Sequence, residues 1–104
     1  MWVKCDVTSE EEVQSGVEAC LTRFGALHVV LASAGVGWPV QTLTSQTALD
    51  MDLFQTVLDI NLYGSIHVAK HGAIAMAKNK PNDVGERGAI IFVSSVAAEE
   101  GQRG

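Results

Sequence analysis

Three short stretches of this chain hold residues able to do chemistry. Asp6 and Val7 close the apolar–polar alternation from Trp2, Ser33-Ala34-Gly35 follows the apolar run 27–32, and Ser94-Ser95 follows the apolar run 89–93. An aspartate at Asp6 can accept a hydrogen bond from an adenine amino group, or it can simply organise the turn into a capped helix; spacing leaves both open. Ala34-Gly35 lets a ligand approach the backbone closely, because nothing projects from Gly35 and little from Ala34. The same pair also suits an ordinary tight turn. Ser95 has no histidine or aspartate at an obvious position, which argues against a hydrolase nucleophile. Its hydroxyl better suits hydrogen-bonding a carbonyl oxygen or a developing alkoxide, or capping the end of a strand. The common location carries more weight than any one side chain. All three stretches sit where strands end, and open α/β sheets bind ligands beyond the carboxyl ends of their strands.

The elements that must position these residues read as strand, helix, strand, long helix, strand. Trp2–Val7 alternates like a short strand. Thr8 or Ser9 then offers an N-cap, with Glu11 or Glu12 three residues on to complete a capping box. Glu10, Glu11 and Glu12 place negative charge where the helix dipole favours it. Val13, Val17, Cys20, Leu21 and Phe24 recur at helical spacing, and Gly25 supplies a left-handed C-cap. The run 27–32 reads as a buried parallel strand. Asp50 caps a second helix from about Met51 to Lys78, with Phe54, Val57, Leu58, Leu62, Ile66, Ala69, Ala73 and Met76 as the expected buried stripe. Asn61 and Gly64 are poor helix formers and predict a kink within it. Asn79–Gly88 is a polar loop, and 89–93 is a second buried strand. The order predicts an α/β fold with a parallel sheet.

Composition narrows the function classes. Hydrophobic residues make up 47% and charged residues 18% of the chain, which suits a packed core rather than disorder. A net charge of -5 gives no electrostatic reason to bind nucleic acid or anionic lipid. No apolar run approaches the ~18 residues of a membrane helix, and the first residues are too short and polar for a signal peptide. Cys5 and Cys20 belong to no metal-binding or disulfide pattern and read as reduced thiols. His67 and His71 stand four apart, a spacing that could hold a metal, but they read as a helix-surface pair; no metal site is expected.

Four motifs occur together in a distinctive order: Cys5-Asp6-Val7-Thr8, Ala34-Gly35, Asn61-Leu62-x-Gly64 and Ile90-Ile91-x-Val93-x-Ser95. In that order and spacing the chain resembles the short-chain dehydrogenase/reductase family over nearly its whole length. Phe54-Gln55-x-Val57-Leu58-Asp59, Gly85-Glu86-Arg87-Gly88 and Ser95-Val96-Ala97-Ala98-x-Glu100-Gly101-Gln102 resemble the branch acting on 3-hydroxyacyl-CoA or hydroxysteroid substrates. The resemblance implies a partial Rossmann-like, doubly wound sheet and a nicotinamide cofactor, NAD or else NADP. Asp6 and Val7 would then meet the adenine, and Ser33, Ala34 and Gly35 the ribose and nicotinamide. Asn61 would hold a relay water on its backbone carbonyl, Ser95 would orient the substrate oxygen, and Gln102 would open the substrate loop. A small-molecule substrate, no nucleic-acid or membrane partner, a homotetrameric parent and a mitochondrial rather than cytoplasmic setting are also implied. Two departures stand out. Ala32-Ser33-Ala34-Gly35 lacks the family's first asparagine, and Glu99 replaces a large apolar residue.

Other family parts are missing from residues 1–104. No G-x-G-x-x-G occurs in them, and the family's Tyr-x-x-x-Lys would begin about a dozen residues past Ser95. Tyr63 is no substitute, because residue 67 is His67 rather than lysine. The expectation is therefore the central part of one domain, inactive alone and supplying strands 3, 4 and 5 of a 3-2-1-4-5-6-7 order. The first of these would lack a neighbour, and must detach, re-pair or be completed by another polypeptide. A degenerate remnant acting as a structural or interaction subunit is the alternative.

Overall fold

Helix α1 (Glu10–Phe24) begins where its capping residues dictate. Ser9 is extended, and its hydroxyl accepts the Glu12 N–H at 3.3 Å. The Glu12 carboxylate reaches back past the cap to the Asp6 N–H at 2.9 Å, a longer return than the usual capping box. Gly25 ends the helix at φ 82, the left-handed conformation that a glycine adopts without a Cβ penalty. In this computed structural model, which describes residues 1–102, β1 (Val29–Ala32) follows. Then come α2 (Met51–Leu58), a π-helical turn (Asp59–Tyr63), α3 (Gly64–Met76), β2 (Ala89–Phe92) and a short α4 (Ala97–Glu100).

The two strands pair in parallel, Val29 opposite Ala89 through Ala32 opposite Phe92. The α2–α3 helix supplies the crossover that a parallel pair requires. The architecture is α/β, as the element order predicts, but two expected features differ. Residues 2–6 form no strand, and Val7 lies in a turn. A strand exists by virtue of its partner, and the described residues place none beside this segment. The sheet is also covered on one face only. Val30 and Ala32 turn toward α3 and are 8% and 7% exposed, whereas Val29 and Leu31 turn away and are 58% and 57% exposed. Both strands were expected to be buried on both faces.

The long helix is anchored as expected, with Asp50 accepting the Asp52 and Leu53 N–H groups. Its buried stripe is rotated from the one expected. Of the expected residues Met76 is buried and Val57, Leu58 and Ala69 are half-buried, but Phe54, Leu62, Ile66 and Ala73 are exposed, while Gly64, Gly72 and Ala75 are buried instead. The helix is apolar on two sides, and periodicity alone does not say which one meets the sheet. Contact distance decides it. A Cβ on Gly72 would lie 2.8 Å from Val30 Cγ2, and one on Gly64 would lie 2.6 Å from Val7 Cγ2. Only the glycine side allows the helix to come this close.

His67 and His71 are not a solvent-facing pair. His67 Nδ1 lies 3.0 Å from the Val7 carbonyl. The His71 side chain is 11% exposed, with Nε2 3.0 Å from Glu10, whose carboxylate also accepts from Lys70 at 2.5 Å. These bonds clasp the start of α1 to α3. The polar loop before β2 is likewise tied down, with Asn79 Nδ2 donating to the Leu27 and Arg87 carbonyls at 2.7 and 2.8 Å.

Hydrogen bonds from Lys70 and then His71 hold the Glu10 carboxyl below its ordinary 4.5. A depressed acid contributes stability above its unfolded pKa and loses it as pH falls through the lower folded value. Acid titration of helix content by circular dichroism should therefore show a loss below pH 4.5 that Glu10→Gln reduces. Gly88 permits a second test, because a Cβ there would lie 2.7 Å from the His28 carbonyl oxygen and 2.6 Å from Met76 Sδ. Gly88→Ala should destabilise the fold by about 1–3 kcal/mol in urea unfolding.

Candidate functional site

Asp6 and Val7 lie at the turn that leads into α1. Asp6 Oδ1 accepts the Thr8 N–H at 2.9 Å and the Thr8 hydroxyl at 2.8 Å, closing an Asx turn. Those two bonds, the backbone one first, hold the carboxyl below the usual aspartate range. Asp6 is therefore an anion at neutral pH. Val7 is fixed from two directions, by His67 on its carbonyl and by Gly64 against its side chain.

Ser33, Ala34 and Gly35 continue from the carboxyl end of β1. Their backbone groups make no hydrogen bond with another described residue, so their amides and carbonyls are open to a ligand. Val7, Leu31, Ala32, Ser33, Ala34, Gly64, Ser65 and Val68 surround a cavity of about 170 Å³. The structure thus brings Val7, Ser33 and Ala34 around one space.

Asn61 holds the next residue of that segment. Its Oδ1 accepts the Val36 N–H at 2.8 Å, and its Nδ2 donates to the Val36 carbonyl at 2.8 Å. The side-chain amide thus pairs with both backbone groups of one residue, much as a neighbouring strand would. A Cβ on Gly35 would meet Asn61 Oδ1 at 3.4 Å, so the glycine lies directly against this clamp. Asn61 also sits within the π-helical turn, so the break expected from its sequence is present. Its backbone carbonyl accepts the Ser65 hydroxyl at 2.8 Å.

Sequence reasoning missed the Asn61 side-chain clamp, the Ser65 bond and the His67 bond. Only the second left a local signal, because a serine four residues after Asn61 in a helix readily folds back on that carbonyl. The other two join residues 25 and 60 positions apart, and no local pattern announces them.

Ser95 lies beyond β2 and outside the cavity lining. The Val93 N–H continues the sheet ladder to the Ala32 carbonyl at 3.0 Å, which keeps the two strand ends side by side. Ser95 Oγ accepts the Ala97 N–H at 3.2 Å and its carbonyl accepts the Ala98 N–H at 3.0 Å, in the turn that leads into α4. The bond to Oγ uses a lone pair and leaves the hydroxyl proton available for donation. Gln102 follows α4 and is exposed, and it is not brought to the cavity.

The family model described as Enoyl-(Acyl carrier protein) reductase matches residues 1–104. The chain belongs to the short-chain dehydrogenase/reductase family. Its members are oxidoreductases that use a nicotinamide dinucleotide. The chain is 38% identical to the human 3-hydroxyacyl-CoA dehydrogenase type-2, with 100% of the chain and 41% of that protein covered. It is 36% identical to the Drosophila melanogaster protein of the same name, with 100% and 42% covered. The crystal structure of 3-hydroxyacyl-CoA dehydrogenase type-2 from Mycobacterium avium superposes with a TM-score of 0.88 at 34% identity, covering 98% of this chain and 41% of that one. The chain thus spans about two fifths of the length of these relatives. No described helix is long and apolar enough to cross a membrane.

The clamp predicts a specific local response. Asn61→Ala removes both bonds to Val36 and should cost about 1–3 kcal/mol. Amide hydrogen exchange should then accelerate at Val36 while the α1 interior is unchanged.

Proposed function

We propose that residues 1–104 form the central part of a single dehydrogenase/reductase domain interconverting a secondary alcohol and a ketone. The substrate class is 3-hydroxyacyl-CoA or hydroxysteroid, and the cofactor NAD in preference to NADP. The observation that carries this reading is the Asn61–Val36 clamp. It ties the interrupted helix to the open backbone of Ser33–Gly35, at the strand ends where Ser95 also stands.

The residues present suit a dinucleotide. Asp6 keeps one carboxylate oxygen, Oδ2, without a donor among the described residues, and it can accept from the adenine amino group. Val7 adds a backbone contact beside the adenine. Ser33, Ala34 and Gly35 present small side chains and unpaired backbone to the ribose and nicotinamide. The cofactor, when bound, gives or takes the hydride.

The Ser95 hydroxyl donates to the substrate oxygen, which gains negative charge as the carbonyl is reduced, and so favours the charged state over the neutral one. Asn61 keeps the β1 tip and the helix interruption in register, with its backbone carbonyl available to a relay water beside the Ser65 hydroxyl. Gln102 borders the substrate mouth. The tyrosine and lysine that the family uses for proton transfer lie outside these residues. The reading includes a mitochondrial setting and a homotetrameric parent.

A chimera carrying these 104 residues in place of the matching segment of the Mycobacterium avium enzyme tests the proposal. It should reduce a 3-ketoacyl-CoA with NADH, and Ser95→Ala should lower its kcat by about 100-fold or more. A folded chimera that turns over no acyl-CoA or steroid, or that is indifferent to Ser95→Ala, would overturn the assignment. The 104 residues alone should show no turnover, since loss of the proton donor removes about 10²–10⁴-fold in rate.

A further inference from the structure

A single peptide unit joins α3 to the carboxylate in the turn before α1. The Val7 carbonyl lies 3.0 Å from His67 Nδ1. The N–H of the same peptide, which belongs to Thr8, donates to Asp6 Oδ1 at 2.9 Å. A peptide is planar, so fixing its carbonyl also fixes the direction of its N–H. A carbonyl oxygen only accepts, so Nδ1 is a protonated nitrogen of the His67 ring. Donation to the carbonyl also polarises the peptide and strengthens its N–H as a donor. His67, the Val7–Thr8 peptide and the Asp6 carboxylate thus form one continuous chain of hydrogen bonds.

The far end of this chain faces outward. Asp6 Oδ2 has no donor and the Val7 N–H has no acceptor among the described residues. An open acceptor beside an open donor matches the amino group and neighbouring ring nitrogen of adenine. The near end is anchored. His67 is half-buried on α3. One turn earlier, Gly64 admits the Val7 side chain, where a Cβ would stand 2.6 Å from Val7 Cγ2. The other bonds of Asp6, to the Thr8 hydroxyl and from its own N–H to Glu12, stay within the turn and α1. Only the peptide bonded to His67 refers the carboxylate to α3.

We infer that His67 is a positioning residue for the adenine end of the cofactor site. It acts through the Val7–Thr8 peptide rather than on the ligand, and it sets the direction in which Asp6 Oδ2 points. This role rests on the proposed reading of Asp6 and Val7 as adenine contacts.

The chimera with the Mycobacterium avium enzyme supports the test, with NADH compared against reduced nicotinamide mononucleotide, which lacks the adenine. His67→Leu removes the donor and keeps apolar bulk. It should raise KM for NADH about fivefold while kcat changes less than about twofold. KM for the mononucleotide should not move. His67→Phe, which keeps a ring without a donor, should behave the same way, so the outcome does not hang on one variant folding. His67→Asn returns an N–H near the position of Nδ1 and should bring KM for NADH back to within about twofold of the unmodified chimera. Asp6→Ala is the reference, and should raise KM for NADH alone. An Asp6→Ala chimera with unchanged KM for NADH would sink the adenine reading, and the role of His67 with it. An effective Asp6→Ala beside silent His67→Leu and His67→Phe would overturn the positioning role alone. So would a loss shared equally by both cofactors, or a failure of His67→Asn to restore KM.

Discussion

Glycines set the distance between helix and sheet, and most of the structure follows from that distance. Gly72 rests on Val30 and Gly64 on Val7, with no room at either point for a Cβ in the present packing. A helix axis held off by ordinary side chains would sit farther out, and the short polar groups that join the layers would fall short. The Asn61 amide would lose Val36, and the His67 ring would lose the Val7 carbonyl. Close packing here positions the polar groups as well as burying apolar surface. That is why Gly64, one turn of chain after Asn61, belongs to the same device.

The turn before α1 serves two purposes with one set of atoms. The Asp6, Ser9 and Glu12 side chains accept the N–H groups of Thr8, Glu12 and Asp6, as any exposed helix start requires. The bonds from Thr8 keep Asp6 ionised and leave its Oδ2 without a donor among the described residues. Structural and ligand-facing readings of this residue are therefore compatible. Ser95 behaves likewise, accepting the Ala97 N–H with a lone pair while keeping its proton. The clasp of Glu10 on Lys70 and His71 secures the arrangement by fixing α1 against α3.

Much of this was legible before any coordinates. Ser9, Asp50 and Gly25 mark helix ends because capping chemistry is local. The interruption at Asn61 was legible for a similar reason, although its form as a π-helical turn was not. The expected buried stripe was borne out only in part, at buried Met76 and half-buried Val57, Leu58 and Ala69. Phe54, Leu62 and Ile66 have helical spacing and high hydropathy, yet they face outward because the sheet accepts only the glycine side. The expected strand at residues 2–7 does not form and the segment ends in a turn at Val7, since alternation records a tendency and pairing requires a neighbour. His67 and His71 read as a surface pair until the facing element supplied the Val7 carbonyl and Glu10.

Sequence by itself determined the order from α1 through β1 and the long helix to β2, the caps of the helices, the parallel class of the sheet and the family to which the motifs belong. Each of these depends on interactions within a few residues, or on a pattern that repeats along one element. Tertiary structure alone decided which helix face is buried, that Asn61 grips Val36, and that Val7, Ser33 and Ala34 surround one cavity. Those facts depend on distances between residues far apart in the chain, and only packing sets such distances.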